Sequence, residues 1–229
     1  MKIKKLKIDF KDKVLVDISF EINTSLALVG QSGSGKSLSI KALLDMLPNK
    51  MKKELDLDSD FVLKAGDTLG FVPQNPFTAL SPLTKISKQF FTNKKRIDEL
   101  FEQVGLDPLL QDRFPPELSG GQLQRVVIAM SLEKSPKLLM LDEPTTALDP
   151  QTRVIILDLL KKLQNEYQFK ILFVTHDMNS AKSLCEDICV IKDGHVVEYG
   201  KMHDILKSPQ EKYTQTLIEA NFANRNFRE

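Results

Sequence analysis

The sequence has no long apolar run, no strong charge of either sign and almost no cysteine. No stretch of the 229 residues approaches the ~18 apolar residues that cross a bilayer as a helix, and the N-terminus lacks the short apolar core of a secretory signal. The formal net charge of +1 gives no global field that points to nucleic acid. These absences predict a cytosolic protein that, if it serves transport, uses a membrane pathway formed by other chains.

The two cysteines, Cys185 and Cys189, would share one helix face only if a helix continued through Ile188. The pattern instead predicts a change from helix to strand at this point. Two buried thiols are therefore favoured over a metal or redox pair, as expected for a reducing compartment.

The order of the predicted elements indicates an α/β fold. Lysines that alternate with apolar residues near the N-terminus are typical of a half-exposed strand rather than a phosphate-binding arm. Strands are predicted up to residue 22 and at 26–29, 69–72, 138–141, 171–174, 188–191 and 195–198; helices are predicted at 37–47, 152–167, 179–184 and 203–220. This alternation predicts a mainly parallel sheet covered by helices, within a single domain over 1–229.

Two stretches depart from this alternation. Residues 49–67 are polar and show no clear pattern. Prolines recur between amphipathic stretches from about residue 75 to 125, which predicts a small helical lobe inserted into the main domain.

A glycine-rich loop follows the predicted strand 26–29 and fits the pattern G-x-x-x-x-G-K-[ST]. Its glycines allow backbone N–H groups to turn toward phosphate oxygens, and the helix that follows adds its positive end. Lys36 is expected to reach the β- and γ-phosphates of ATP, and Ser37 to ligate Mg²⁺. The eight candidate residues are Gly30, Gln31, Ser32, Gly33, Ser34, Gly35, Lys36 and Ser37.

An apolar strand over residues 138–141 ends in two carboxylates, Asp142 and Glu143. A buried strand can place Asp142 beside the Mg²⁺ shell. Glu143 is then available to polarise water as a general base.

A second candidate anion site lies at the start of a helix-like run, where Ser119, Gly120, Gly121 and Gln122 follow Leu118. One domain has no obvious need for two γ-phosphate sites. Two copies placed head-to-tail do, because the phosphate loop of each would face the Ser119 loop of the other.

Together these motifs resemble the nucleotide-binding subunits of ABC transporters, and the resemblance covers nearly the whole chain. It includes the two loops, the carboxylate pair, Gln74, the run Thr146 to Asp149 and the run Thr175 to Asp177. It implies an ABC ATPase domain with an N-terminal antiparallel β lobe, a helical lobe over about 75–125 and a C-terminal helical tail over 203–229.

The resemblance also implies roles for residues that the chemistry alone does not assign. Gln74 would ligate Mg²⁺ and sense a membrane partner, and Asp149 would bridge two subunits. His176 would contact the γ-phosphate, and Phe10 would stack on adenine, although a strand core role for Phe10 is equally open. The run Asn23 to Ser25 stands where most ABC subunits have Gly-Glu, which points to a trimmed antiparallel lobe and leaves the adenine contacts open.

Two segments, residues 74–82 and 208–217, resemble the branch of the family that imports peptides and nickel. Members of that branch pair two different ATPase subunits with two permease subunits and a substrate-binding protein. The short chain and the absence of a cysteine cluster in its tail resemble the nickel-import subunits. The expectation is an ATPase at the cytoplasmic face of the inner membrane that powers nickel uptake; a peptide importer and a non-transport ABC ATPase are the alternatives.

Overall fold

The computed structural model of the chain describes residues 1–223, with side chains up to Asn221, and these residues form two compact units. The first comprises Met1–Leu63 and the chain from Lys170 onward, and the second comprises Lys64–Phe169. The predicted helical tail 203–229 extends beyond the described residues. The interpretation of the whole chain as a single domain stays a prediction.

The first unit is built on seven strands. They are β1 (Lys2–Phe10), β2 (Lys13–Glu21), β3 (Ser25–Val29), β4 (Met51–Asp58), β7 (Lys170–Thr175), β8 (Asp187–Lys192) and β9 (His195–Lys201), in the spatial order β4-β1-β2-β9-β8-β3-β7. The pairs β4-β1, β1-β2 and β9-β8 are antiparallel, whereas β8-β3 and β3-β7 are parallel. The predicted antiparallel lobe at the N-terminus is therefore confirmed, beside a parallel portion of the sheet.

Strand β3 is the centre of the parallel portion. All five of its residues are buried, and it pairs with β7 on one side and β8 on the other. A strand covered by neighbours on both edges and by packing on both faces takes only small or apolar side chains, as the sequence Ser-Leu-Ala-Leu-Val provides.

Helix α1 (Lys36–Leu43) is shorter than the predicted helix over 37–47. Asp45 adopts a left-handed φ of 59°, and the N–H groups of Asp45 and Met46 donate to Ala42 and Lys41 in a Schellman motif. Lys53 of β4 donates from Nζ to the carbonyl of Ala42 at 3.1 Å and to Asp45 at 2.7 Å. Strand β4 lies within the polar run 49–67, where the sequence predicts no element, and its Lys53 stabilises the end of α1.

The predicted helix over 203–220 is wrong at its middle, because the segment forms two helices. They are α7 (Met202–Lys207) and α8 (Lys212–Ala223). Ser208 leaves the helical region with φ −146° and ψ 68°, and Pro209 follows it. The N–H groups of Gln210 and Glu211 then donate to the Glu198 carboxylate, which replaces helical hydrogen bonds across the break.

The second unit contains a parallel pair of strands, β5 (Leu69–Val72) and β6 (Leu138–Asp142), and four helices. The helices are α2 (Pro76–Ala79), α3 (Lys94–Gln103), α4 (Gly120–Ser131) and α5 (Pro150–Tyr167), with 3₁₀ turns at Ile86–Gln89, Pro108–Asp112 and Pro115–Glu117. Side-chain caps start α3 and α5, since Asn93 accepts from Arg96 N and Asp149 from Thr152 N. Helices α2 and α3 and the three 3₁₀ turns thus lie within the segment 75–125, where a helical lobe is predicted, and α4 begins in it.

Helix α6 (Met178–Leu184) ends at Cys185, and β8 begins at Asp187, so the predicted change from helix to strand between the two cysteines is confirmed. Both thiols are free and buried. Burial raises the pKa of Cys189 to about 12 and raises that of Cys185 as well, helped there by the nearby Asp187 and Glu186 carboxylates.

This burial predicts that neither thiol reacts in the folded chain, because the thiolate is the nucleophile and it is disfavoured at both positions. Iodoacetamide at about pH 8 should leave the native chain unmodified. Both cysteines should be alkylated after unfolding in guanidinium chloride, as counted by intact-mass spectrometry. Alkylation of the native chain at the rate of a free thiol would contradict the placement of the cysteines.

The core of the second unit predicts a large difference between two phenylalanines that are ten positions apart. Phe101 is fully buried, with its ring centroid 6.1 Å from that of Phe90, whereas Phe91 is 89% exposed. Phe101→Ala should lower the free energy of unfolding by about 3–5 kcal/mol, and Phe91→Ala should change it by less than about 0.5 kcal/mol. Urea unfolding of both variants measures this, and equal destabilisation by the two would refute the packing.

Candidate nucleotide site

The glycine-rich loop leaves the carboxyl end of β3 and enters α1, both in the first unit. Gly30 is buried, and a Cβ there would come within 2.2 Å of the carbonyl oxygen of Ile191. Gly35 has a φ of +103°, and a Cβ there would come within 2.7 Å of Val16. Glycine is therefore required at both ends of the loop, by a close backbone approach at one and by a left-handed conformation at the other.

Lys36 lies inside the loop, with its side chain folded back toward the carboxyl end of β3. It is 5% exposed, and its Nζ donates to Gly30 O at 2.7 Å and to Gln31 O at 3.0 Å. Gln31 O also accepts from Ser34 N at 3.2 Å. The lysine is thus held by the loop's own carbonyl groups, at the place where the motif requires a cation.

A phosphate group fits this loop. Ser34 Oγ is buried and has no hydrogen-bond partner, and helix α1 begins with neither a side-chain cap nor an acidic residue in its first turn. Ser37, the candidate Mg²⁺ ligand, is exposed in that turn. An anion would accept from the backbone N–H groups of the turn and meet the charge of Lys36.

The hairpin between β8 and β9 supports the loop from outside, a contact that sequence reasoning did not reveal. Asp193 and Gly194 have φ values of 49° and 79°, as in a two-residue hairpin turn. The N–H of Gly194 donates to Ser34 O at 3.2 Å, and its carbonyl accepts from Asp17 N at 2.7 Å. A Cβ at Gly194 would come within 2.2 Å of Leu15 O, so only glycine permits this close packing.

His176 lies at the same edge of the sheet as the loop. Val29 and Thr175 are register partners in β3 and β7, and Gly30 and His176 are the residues that follow them. The turn after His176 is well braced, because Thr175 Oγ1 accepts from Asp177 N at 3.0 Å and Asp177 accepts from Asn179 N and Ser180 Oγ. The structure therefore brings the phosphate loop and His176 together within the first unit.

Phe10 lies at the end of β1, opposite Lys13 of β2 and Met51 of β4. Its ring is half-buried, and the Lys11 ammonium lies 5.5 Å from the ring centroid. The ring therefore has exposed surface, and its stacking on adenine stays a prediction.

In the second unit, Glu143 directly follows β6 and has a left-handed φ of 48°. This conformation is uncommon outside glycine and costs on the order of 1 kcal/mol or more. Glu143 Oε2 accepts from Thr146 Oγ1 at 3.1 Å and from Gln74 Nε2 at 3.5 Å. Thr146 belongs to a run that the sequence singles out, but only the structure shows that it orients the glutamate.

Gln74 reaches Glu143 because β5 and β6 are parallel neighbours, with Val72 opposite Leu141. The residues after both strands emerge at one edge, and Asp142 is the last residue of β6. The structure therefore brings Gln74, Asp142 and Glu143 to the same end of this strand pair.

Ser119 is the N-cap of α4 in a reciprocal capping box. Its Oγ accepts from Gln122 N at 3.3 Å, and its N–H donates to Gln122 Oε1 at 2.8 Å. Gly120 and Gly121 form the first turn, and a Cβ at Gly121 would come within 2.7 Å of Thr152. Asp149 is the N-cap of α5, the helix that packs against the Ser119 loop. Hydrogen bonds from Thr152 hold the pKa of the Asp149 carboxyl below its usual range.

Among residues 1–223, no group of three or more His, Cys, Asp or Glu side chains could hold a metal ion. No helix in that range is long and apolar enough to cross a membrane.

Sequence comparisons identify relatives along almost the whole chain. The oligopeptide transport ATP-binding protein OppD of Bacillus subtilis is 35% identical over 95% of this chain and 70% of its own length. The protein of the same name from Lactococcus lactis subsp. cremoris is 34% identical over 90% of this chain and 69% of its own length.

Solved structures share the fold. The cbiO1 protein of Clostridium perfringens, part of the ABC transporter complex cbiONQ, superposes with a TM-score of 0.73 over 99% of this chain and 96% of its own, at 24% identity. An ATP-binding cassette solved as a dimer in a post-hydrolysis state with ADP and Pi is 29% identical and gives a TM-score of 0.67, over 88% of this chain and 98% of its own.

The sequence profile of the ABC transporter family matches residues 15–146, which contain the phosphate loop, the Ser119 loop and the carboxylate pair. With the relatives and the shared fold, this match shows that the chain belongs to the ABC transporter family and is an ATP-hydrolysing ABC ATPase.

Proposed function

We propose that this chain is the ATPase motor subunit of an ABC importer for oligopeptides. The identity of 35% to an oligopeptide transport ATP-binding protein along 95% of the chain is the observation that carries the cargo assignment. Neither relative described above is named for nickel, so the nickel prediction gains no support from them. The peptide importer, the alternative from the sequence, is preferred for this reason.

ATP is held in this proposal by the phosphate loop, Gly30 to Ser37. Lys36 can exchange the carbonyl oxygens of Gly30 and Gln31 for phosphate oxygens by rotating its side chain, while the backbone N–H groups at the start of α1 donate to the same oxygens. Because the loop is already shaped by its neighbours, ordering it on binding costs little conformational entropy.

Mg²⁺, when bound, neutralises charge on the β- and γ-phosphates, and Ser37, Gln74 and Asp142 are the residues proposed to hold it. Hydroxyl, amide and carboxylate oxygens are the donors that Mg²⁺ prefers.

Glu143 is proposed to position and polarise the attacking water, and His176 to hold the γ-phosphate. The hydrogen bonds from Thr146 and Gln74 restrict the Glu143 carboxylate to one orientation, as a general base requires. A change in the surroundings of Gln74 would therefore change the orientation of the Glu143 carboxylate.

A second ATPase subunit is proposed to complete the site, head-to-tail, through Ser119, Gly120, Gly121, Gln122 and Asp149. In the first turn of α4, the side chain of Ser119 accepts from the N–H of Gln122. The glycines of that turn carry no side chain, so the turn can receive an anion. The dimeric state of a structural relative with ADP and Pi supports the arrangement.

Two permease subunits are the proposed membrane partners, with a substrate-binding protein acting through them. Large apolar side chains are exposed on the second unit after Gln74, namely Phe77 at 54%, Leu83 at 89% and Phe91 at 89%. Where such side chains form one patch, other proteins commonly cover it. They support a peripheral location at the cytoplasmic membrane face, with Gln74 near the contact.

The motor role predicts that Glu143→Gln loses turnover but keeps nucleotide binding. The amide still accepts from Thr146 but cannot act as a base, so kcat should fall by about 100-fold or more. ATP should then accumulate in a dimer, detectable by size-exclusion chromatography. Glu102→Gln, on the exposed face of α3, is the matched control; brisk hydrolysis by Glu143→Gln would remove the assigned role.

The cargo assignment predicts that cells lacking the gene take up less labelled oligopeptide, and that the wild-type chain restores uptake while Glu143→Gln does not. Cellular nickel, measured by mass spectrometry in the same strains, should stay unchanged. A fall in nickel with normal peptide uptake would reverse the preference between the two cargoes.

A further inference from the structure

Helix α8 contacts both of the loops that the first unit contributes to the proposed ATP site. Near its start, Tyr213 Oη accepts from the N–H of Gln31 at 3.1 Å. Near its end, Asn221 Oδ1 accepts from the N–H of Met178 at 3.2 Å, two residues after His176. The two residues are eight positions apart, which places them on one face of a helix.

The start of α8 is fixed from β9. Glu198 is only 8% exposed, and its two carboxylate oxygens accept from Gln210 N at 2.8 Å and Glu211 N at 3.3 Å. Thr214, Leu217 and Ile218 are buried along the same helix. The Lys192 ammonium, from the hairpin that supports the phosphate loop, lies 5.1 Å from the centroid of the Tyr213 ring. Tyr213 is therefore held in place by packing as well as by its hydrogen bond.

The hydrogen bond to Tyr213 acts on the peptide group that holds Lys36. The N–H of Gln31 and the carbonyl of Gly30 belong to one planar trans peptide, so fixing the N–H also fixes the direction of the carbonyl. That carbonyl accepts from Lys36 Nζ at 2.7 Å, and the next carbonyl along accepts from both Lys36 and Ser34. Tyr213 thus orients the part of the loop from which Lys36 must reach phosphate.

Asn221 acts in the same way on the turn after His176. The N–H of Asp177 is held by Thr175 Oγ1, and that of Met178 by Asn221. The side-chain amide of Asn221 is itself fixed, since its Nδ2 donates to Leu217 O at 2.9 Å. The backbone that follows His176 is therefore held at two successive peptide groups, one of them by α8.

We propose that Tyr213 and Asn221 are positioning residues for ATP hydrolysis, through which helix α8 sets the phosphate loop and the His176 turn relative to each other. This inference rests on the proposed function of the two loops. A displacement of α8 would disturb both loops at once, so the helix is also a place where a partner could control hydrolysis.

The experiment measures kcat, KM and amide hydrogen exchange of the full-length chain in four variants. Tyr213→Phe keeps the ring over Lys192 and removes only the acceptor hydroxyl. Asn221→Leu removes the acceptor for Met178, and Asn221→Asp retains it. Tyr199→Phe is the matched control, because it removes an exposed hydroxyl whose hydrogen bond goes to Glu21 O at 3.2 Å.

Tyr213→Phe should raise KM for ATP by roughly threefold to tenfold, with little change in kcat. It should weaken the binding of a fluorescent ATP analogue by the same factor. Asn221→Leu should lower kcat by a similar factor with little change in KM. Asn221→Asp should lower kcat less, because it keeps the acceptor for Met178 but loses the hydrogen bond from Nδ2 to Leu217 O. Exchange should accelerate in a peptide covering 29–36 for the first variant and in one covering 175–182 for the second. Tyr199→Phe should change none of these quantities.

If Tyr213→Phe and Asn221→Leu change both KM and kcat, in proportion to a lowered melting temperature, then α8 is only structural. Unchanged hydrogen exchange in both loops would overturn the proposal outright. Glu143→Gln, assayed beside these variants, separates the two proposals. If it hydrolyses ATP normally, the proposed catalytic role fails, while the exchange and affinity results still decide whether α8 positions the loops.

Discussion

The complete burial of β3 is the constraint on which the rest of the nucleotide site depends. Strand β3 pairs on both edges and has no exposed residue, so a shift in its register would have to rebuild its hydrogen bonds to β7 and β8 together. The point at which the phosphate loop leaves the sheet is therefore fixed, and so is the position of His176 beside it through the register of Val29 and Thr175.

Close backbone packing then shapes the loops that leave the sheet. Gly30 approaches the Ile191 carbonyl and Gly194 the Leu15 carbonyl too closely for any Cβ, and a Cβ at Gly121 would meet the Thr152 side chain. Glu143, by contrast, adopts a left-handed conformation although it is not glycine, as Asp193 does in the hairpin turn. Its hydrogen bonds with Thr146 and Gln74 help to maintain that conformation and give the carboxylate a defined direction.

Polar contacts distant in sequence hold the periphery of the first unit. Two residues of the run Asn23 to Ser25, where the sequence departs from the family pattern, contact the start of β8: Asn23 Nδ2 donates to Asp187 at 3.3 Å and Ser25 Oγ accepts from Glu186 N at 3.0 Å. Lys201 completes the environment of the nearly buried Asp187 at 2.7 Å. A buried carboxylate with two donors avoids the penalty of an unpaired charge, so the altered sequence at this position is compatible with a well-formed sheet.

The sequence by itself determined the elements with a strong local signal. The buried strands, the glycine-rich loop, the carboxylates at the end of β6 and the amphipathic α3 follow from apolar periodicity and from motifs that few other structures require. It did not determine β4, where Leu55 and Leu57 are only half-buried and the run Lys52 to Glu54 interrupts the alternation, nor the end of α1 at Asp45 or the break before α8. Only the tertiary structure decided that Thr146 orients Glu143 and that Tyr213 and Asn221 contact the two loops. The first of these hydrogen bonds depends on the rotamers of two side chains, and the other two join side chains to backbone N–H groups distant in sequence, so none of them carries a pattern in the sequence.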